Sequence, residues 1–213
     1  MTAHPDSGIA QRVRAFETAL EDRGVVTGDE LDAVLDRLGT TPNGARVVAR
    51  AWLDPAFRAR LLSDANQAIE ELGYSMVRGP KPLLLRVVEN TVQVHNVVVC
   101  TLCSCYPQAL LGPSPSWYKS EAYRSRVVRR PREVLAEFGF RPDPDVEIRV
   151  WDASAETRYL VLPRQPEGTD DFDEPQLVAL VTRSGLIGTA PVEAQGSTRR
   201  RRYLVDPSAQ PGV

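Results

Sequence analysis

Thiols are nearly absent from this chain. Its 213 residues hold three cysteines, all within Cys100-Thr101-Leu102-Cys103-Ser104-Cys105. No cysteine elsewhere can complete a disulfide framework or a four-cysteine zinc site. Long apolar runs are missing too: no stretch approaches the ~20 residues that cross a bilayer. The opening Met1-Thr2-Ala3-His4-Pro5-Asp6 lacks the basic and apolar regions of a secretory signal. Neither sign of charge is in excess. The formal net charge of −2 gives no drive toward nucleic acid or an anionic membrane. These absences predict a cytoplasmic protein, and in that compartment clustered cysteines serve metals or catalysis more often than structure. Lysine is confined to Lys81 and Lys119, a bias that carries no functional reading. There is no internal repeat.

What is present supports a packed core. Apolar residues make up 42% and charged residues 25% of the chain, ordinary values for a globular protein, and the length allows one domain with an extension. Ile9, Val13, Phe16 and Leu20 recur at helical spacing, with Gly24 as a stop. Thr27-Gly28-Asp29-Glu30 reads as a capping box for a helix displaying Leu31, Val34, Leu35 and Leu38. After the turn Pro42-Asn43-Gly44, helices are expected over 45–52 and 64–72, with Asp54-Pro55 as cap and first-turn proline between them.

Beyond Gly79-Pro80 the texture changes to apolar runs. Strands are expected over 83–88 and 94–99, then helices over 117–130 and 131–138. Strands over 146–151 and 158–162 should pair through a turn at Asp152-Ala153-Ser154, and a last helix should span 174–183. The basic run Arg199 to Arg202 reads as a solvated tail or a partner contact. The fold expected is α+β: an N-terminal helical arm and helices (1–78), a layered α/β domain carrying the cysteine loop (79–192), and a polar, basic tail (193–213).

The spacing of the cysteines points to a metal claw. One residue separates Cys103 from Cys105, so the backbone there lies against whatever the sulfurs hold. A metal in that grip reaches the peptide nitrogens of Ser104 and Cys105, giving two sulfurs and two nitrogens in a plane. Cys100 then caps one side and leaves the other open. Such geometry suits a transition metal with directional d-electrons better than zinc. Two other readings are a redox pair with a spare thiol and half of an intersubunit zinc site. A thioredoxin-like pair opens a helix after a strand. Here Tyr106-Pro107-Gln108-Ala109-Leu110-Leu111-Gly112-Pro113 favours a loop.

The segment Val97-Val98-Val99-Cys100-Thr101-Leu102-Cys103-Ser104-Cys105-Tyr106-Pro107 closely resembles the metal motif of the nitrile hydratase α subunit. The likeness extends through Ala51-Trp52-Leu53-Asp54-Pro55, Trp117-Tyr118-Lys119-Ser120, Tyr123-Arg124-Ser125-Arg126, Ile148-Arg149-Val150-Trp151-Asp152 and Leu186-Ile187-Gly188, covering about residues 45 to 190. The resemblance implies a lyase that hydrates a nitrile to an amide at a non-corrin trivalent cobalt, or at iron (Fe3+). Threonine at the second motif position resembles the cobalt type. It also implies metal ligation by Cys100, Cys103, Ser104 and Cys105, with Cys103 oxidised to sulfinic and Cys105 to sulfenic acid. Catalytic roles then fall to Cys105, Cys103 and Ser104. The Cys105 sulfenate would attack the nitrile carbon or activate water, and Ser104 would brace the claw.

Anionic sulfurs and deprotonated amides outweigh a trivalent cation, so a partly buried centre of this kind needs cationic donors. The claw loop holds no arginine. The resemblance implies a β-type partner, possibly split into two chains, that supplies them, and a metallochaperone. Glu156 and Arg158 match the family's Glu-Xaa-Arg-Tyr segment and read as buried support or proton relay, or as an internal ion pair. His95 reads as a satisfied strand residue rather than a ligand.

One position departs from the family: Gln108 stands where most members carry tryptophan and the sister thiocyanate hydrolase γ subunit carries arginine. Loss of an indole should open the pocket and make it more polar, so Gln108 is a candidate substrate-binding residue for larger heteroaromatic or nucleoside nitriles, as in toyocamycin nitrile hydratase. The alternatives are a thiocyanate hydrolase γ-type subunit and a non-catalytic metal or redox module.

Overall fold

A computed structural model of the chain describes residues 15–16, 18–20, 23–25, 27, 42–77 and 83–194. The chain divides into two compact units, Met1–Thr40 and Thr41–Val213. In the first, residues 15–16 and 18–20 are helical. The chain then turns at Gly24, whose φ is 64°, and Val25 N–H donates to the Leu20 carbonyl at 3.0 Å. That is the stop the sequence places there. The Thr27–Glu30 capping box, the helix it would open and the arginine run at 199–202 lie outside the described residues.

The second unit begins with three helices, α1 (Pro42–Leu53), α2 (Pro55–Ser63) and α3 (Ala65–Glu70). Two aspartates punctuate them. The Asp54 carboxylate accepts from the N–H groups of Ala56 and Phe57, each at 3.0 Å, and Asp64 caps α3 through Gln67 N–H at 3.1 Å. Such caps satisfy amides that the first helical turn leaves without a partner. Val47, Val48, Ala51, Phe57, Leu61 and Ile69 are buried in one apolar cluster with the strands. The helices that the sequence groups with an N-terminal segment therefore pack, from Pro42 onward, into the core that carries the cysteine loop.

Among the described residues four strands follow: β1 (Leu84–Glu89), β2 (Val94–Val99), β3 (Glu147–Asp152) and β4 (Thr157–Leu162). Between β2 and β3 lie α4 (Gln108–Leu111), α5 (Ser116–Lys119), α6 (Glu121–Val127) and α7 (Pro131–Glu137); α8 (Glu174–Leu180) and α9 (Arg183–Ile187) follow β4. The expected hairpin between β3 and β4 is not formed. Instead β1 pairs with β4 and β2 with β3, both in parallel. Ser154 explains the difference. After Ala153 N–H extends the β3 ladder to the Val99 carbonyl at 2.7 Å, the Ser154 hydroxyl accepts from the amides of Glu156 and Thr157. This tight local turn redirects the chain, and Leu84 N–H then meets the Glu156 carbonyl at 2.8 Å to start the other ladder. On β1's far side, Asn66 of α3 accepts from Leu85 N–H at 2.7 Å and donates to the Leu83 carbonyl at 2.8 Å, covering a sheet edge that would otherwise be open.

Two expected helices are broken. The 117–130 segment splits at Ser120, which is extended (φ −64°, ψ 141°) and caps α6 through Tyr123 N–H. The 174–183 segment ends at Leu180, because Thr182 is extended and caps α9 through Gly185 N–H. In each case a hydroxyl side chain offers the backbone a cap in place of continued helix.

A buried polar cluster ties α9 to β2. His95 Nε2–H donates to the Gly188 carbonyl at 2.7 Å, and its Nδ1 receives the Asn90 amide at 3.3 Å. Asn90 Oδ1 accepts from Asn96 N–H at 2.7 Å, and Asn96 Oδ1 accepts from the Trp151 indole at 2.8 Å. Burial holds the His95 pKa below the usual histidine range, which suits this neutral tautomer. His95 is thus the satisfied strand residue expected of it. Gly188 has φ 87°, and a β-carbon there would lie 1.9 Å from the Asn96 carbonyl oxygen. Gly188→Ala should therefore destabilise the unit by on the order of 3 kcal/mol or more, read as a lowered denaturant midpoint. An unchanged midpoint would contradict this packing.

Candidate metal centre

The cysteine loop starts where the core ends. Val97, Val98 and Val99 are buried along β2, and Cys100, the next residue, is fully buried. The chain then leaves the ladder: residues 101–104 are exposed, Leu102 at 86%, before Cys105, Tyr106 and Pro107 return to the interior. A single helical turn, α4, follows where the prolines suggested a loop. The Pro107 carbonyl accepts from the amides of Leu110 and Leu111, each at 3.0 Å, so this proline opens the turn instead of breaking it.

The three sulfurs converge. Cys100 Sγ and Cys103 Sγ are 3.5 Å apart, Cys103 Sγ and Cys105 Sγ 3.3 Å, and all three lie within 4.8 Å of one another. Cys103 N–H also points at Cys100 Sγ, at 3.3 Å. Among the described residues this is the one group of three or more cysteine, histidine or carboxylate side chains able to share an ion. The donor set fits a thiophilic transition metal.

Side chains from three distant elements clamp the loop. Asp152, at the end of β3, accepts from both the amide and the hydroxyl of Thr101, at 2.9 and 2.5 Å. Arg124 of α6 donates through Nη1 to the Cys103 carbonyl at 2.9 Å. The Tyr118 hydroxyl of α5 donates to the Cys105 carbonyl at 3.0 Å, and Tyr123 of α6 holds the Val98 carbonyl at 2.7 Å. None of these residues has a role in the sequence-based site. Tyr118, Tyr123, Arg124 and Asp152 sit in segments that resemble the family, and that resemblance was their only signal.

The thiols differ in acidity. Burial and the neighbouring Cys103 thiol push Cys105 up to about 12, against the opposing charge of Arg158. Cys103 is held below the usual thiol range. Its partial burial is outweighed by hydrogen bonds from the Cys105 thiol, the Ser104 amide, the Cys100 thiol and the Cys105 amide.

The other expected site residues are less uniform. Ser104 is exposed on the loop, and bracing comes from Asp152, Arg124 and Tyr118. Gln108 is exposed at the first position of α4. Glu156 is exposed and its carboxylate accepts from the Ser154 hydroxyl at 3.0 Å, so it does not read as buried support in this chain. Arg158 donates to the carbonyls of Ser154, Ala155 and Thr157. The internal ion pair allowed for Glu156 and Arg158 is thus not made among the described residues. Each carboxylate or guanidinium instead finds a neighbour on its own turn. The Nε–H groups of Arg124 and Arg158 are buried without partners among the described residues. Two clefts of about 360 and 300 Å³ meet at Asn90, Thr91, Pro163, Arg164 and Gln165, and neither is lined by a cysteine.

Fold and site together define an α+β protein whose one clamped loop carries three thiols able to hold a metal. The family profile described as "Nitrile hydratase, alpha chain" matches residues 7–190. The low-molecular weight cobalt-containing nitrile hydratase subunit alpha of Rhodococcus rhodochrous is 52% identical over 202 residues, covering 89% of this chain and 96% of the relative. Thiocyanate hydrolase subunit gamma of Thiobacillus thioparus is 47% identical over 161 residues, covering 72% of this chain and 66% of the relative. A solved Fe-type nitrile hydratase from Comamonas testosteroni Ni1, a double mutant, matches with a TM-score of 0.70 at 42% identity, covering 90% of this chain and 94% of that one. The chain belongs to the nitrile hydratase α-chain family.

Metal uptake should be linked to proton release. Cys105 stays protonated well above neutrality in the metal-free loop, and a thiol must lose its proton to ligate. Apparent cobalt affinity should therefore rise from pH 6 to pH 8, by up to about tenfold per unit for each proton displaced. Calorimetric titration in two buffers of different ionisation heat measures that proton. Affinity that falls over this range would contradict the assignment.

Proposed function

We propose that this chain is the α subunit of a cobalt nitrile hydratase, converting a nitrile to its amide together with a β-type partner. One observation carries the reading: three thiols within 4.8 Å of one another, on a loop whose flanking chain belongs to this family throughout. Cys100, Cys103 and Cys105 supply sulfur, and Ser104 and Cys105 supply peptide nitrogen. A trivalent cobalt ion held there supplies Lewis acidity toward a nitrile or water. The Fe-type relative makes iron the alternative occupant.

In this reading Cys103 is the sulfinic and Cys105 the sulfenic acid. Thiolate character and exposure govern that oxidation, and the exposed, acidified Cys103 has both. As a sulfenate, Cys105, at the buried end of the loop, would attack the nitrile carbon or take a proton from water. Arg158 sets positive charge beside that sulfur. The open face of the claw, with Leu102 86% exposed, is where a β-type partner brings further arginines, in one chain or two. A metallochaperone loads the site in the cytoplasm.

Substrate choice rests on Gln108. A glutamine exposed at the start of α4, in place of an indole, makes a more open and more polar pocket, suited to a heteroaromatic or nucleoside nitrile. The second reading, a thiocyanate hydrolase γ-type subunit, is favoured by the similarity to that subunit. It is opposed by the missing arginine at 108, which a small anion would need.

Co-production with the β-type partner tests the assignment. Cobalt stoichiometric with the claw, a sulfinic and a sulfenic group on the Cys100–Cys105 peptide by mass, and amide formation from a nitrile are expected. Zinc on unmodified thiols, with no amide formed, would leave a binding or redox module. Sulfur release from thiocyanate in preference to nitrile hydration would select the second reading. Gln108→Trp should reduce kcat/KM for bulky nitriles by at least about tenfold more than for small aliphatic ones; equal losses would remove the pocket argument.

A further inference from the structure

We propose that Arg124 is a positioning residue for metal ligation by the peptide nitrogen of Ser104, an inference that rests on the ligand set given above. Arg124 Nη1 donates to the Cys103 carbonyl oxygen at 2.9 Å. That oxygen and the Ser104 nitrogen are the two ends of one peptide bond, coupled by resonance through its C–N bond. When the nitrogen becomes an anionic ligand, its N–H bond breaks and the proton passes to solvent. The electron pair stays on the amide and spreads onto the Cys103 oxygen. The guanidinium faces the atom on which this negative charge arrives. A hydrogen bond with charge on its donor alone thereby gains charge on its acceptor as well, and it strengthens.

The other clamps do not have this relation to a ligand. Tyr118 holds the Cys105 carbonyl, whose peptide partner is the nitrogen of Tyr106, outside the claw. Asp152 binds the Thr101 amide and hydroxyl, so it fixes the loop without touching a ligating peptide. Arg124 is also held rigidly enough to act. Its helix is capped by Ser120, its neighbour Tyr123 is buried against β2 and bonded to the Val98 carbonyl, and Trp117 packs edge-on against Tyr123 and Phe138 with ring centroids 5.0 and 4.6 Å away. The buried Nε–H of the same guanidinium has no partner among the described residues, a condition that favours anionic charge nearby.

The test uses the full chain assembled with its partner and loaded with cobalt chloride, comparing wild type with Arg124→Met, Arg124→Lys and Arg126→Met. X-ray absorption counts nitrogen and sulfur ligands, and the half-time of cobalt loss to a chelator reports how firmly the ion is held. Arg124→Met should lose nitrogen ligation and release cobalt at least about tenfold faster, while Arg124→Lys, which keeps a cation at the carbonyl, should stay near wild type. Arg126→Met removes a guanidinium of the same helix that pairs with Glu137, and it should leave both readouts unchanged. If Arg126→Met or Arg124→Lys behaves like Arg124→Met, helix stability or arginine shape is responsible and the proposal falls. Nitrogen ligation undisturbed in Arg124→Met overturns this inference alone. Sulfur-only ligation in the wild type overturns it together with the ligand set on which it rests.

Discussion

The parallel pairing of β2 with β3 is the constraint on which the site depends. Its register runs from Val94 opposite Glu147 to Val99 opposite Asp152, and the last rung lies one residue before Cys100. Because Asp152 closes that rung, its carboxylate stands beside the loop that leaves β2, and it captures Thr101 by amide and hydroxyl together. A slip of one residue would exchange the two faces of β2, both of them buried, and carry Asp152 away from the loop. The packing of β2 and the anchoring of the claw are thus one requirement.

That register is itself held from behind. Parallel strands need a crossover, and here the chain between β2 and β3 is the helical segment α4–α7, which packs its aromatic residues over the strand. Tyr123 bonds the Val98 carbonyl while Arg124 reaches the Cys103 carbonyl, so adjacent residues of one helix address the strand and the loop it feeds. On the other side, Asn90, His95, Asn96 and Trp151 satisfy one another between the two strands and Gly188. Buried polar groups of this kind are costly when any member is lost, and that cost ties the ladder to α9.

Local signals were legible in part. Asp54 caps a helix within three residues as expected, and the apolar run of β2 has the bounds expected for it, whereas Ser120 and Thr182, which also cap on their own turns, fell inside expected helices. The cysteine claw was legible because all its sulfurs lie within six residues. The strand partners were not. Period and composition distinguish a strand from a helix but do not say which strand lies beside it, and Ser154 could be read as a hairpin turn or as the corner it proves to be. The clamps on the claw were hidden by distance along the chain: Arg124 acts across 21 residues and Asp152 across 51. Arg126, two residues from Arg124, is chemically identical and pairs with Glu137 instead. Nothing in the residue types alone separates the two.

The claw also shows how one loop makes unlike sulfurs. Cys103 and Cys105 are neighbours in space and differ by one intervening residue, yet the first is solvent-facing with amides aimed at its sulfur and the second is returned to the interior. The first environment stabilises a thiolate; the second opposes one until a cation arrives. A loop that began and ended in solvent would make three equivalent thiols, and one wholly buried would leave all of them protonated. The asymmetry follows from the path of the backbone, which exits the core at Cys100, turns outward under the hold of Asp152 and Arg124, and re-enters under the hold of Tyr118. Differential chemistry at the sulfurs is therefore a consequence of how the loop is tethered, not of any difference between the cysteines themselves.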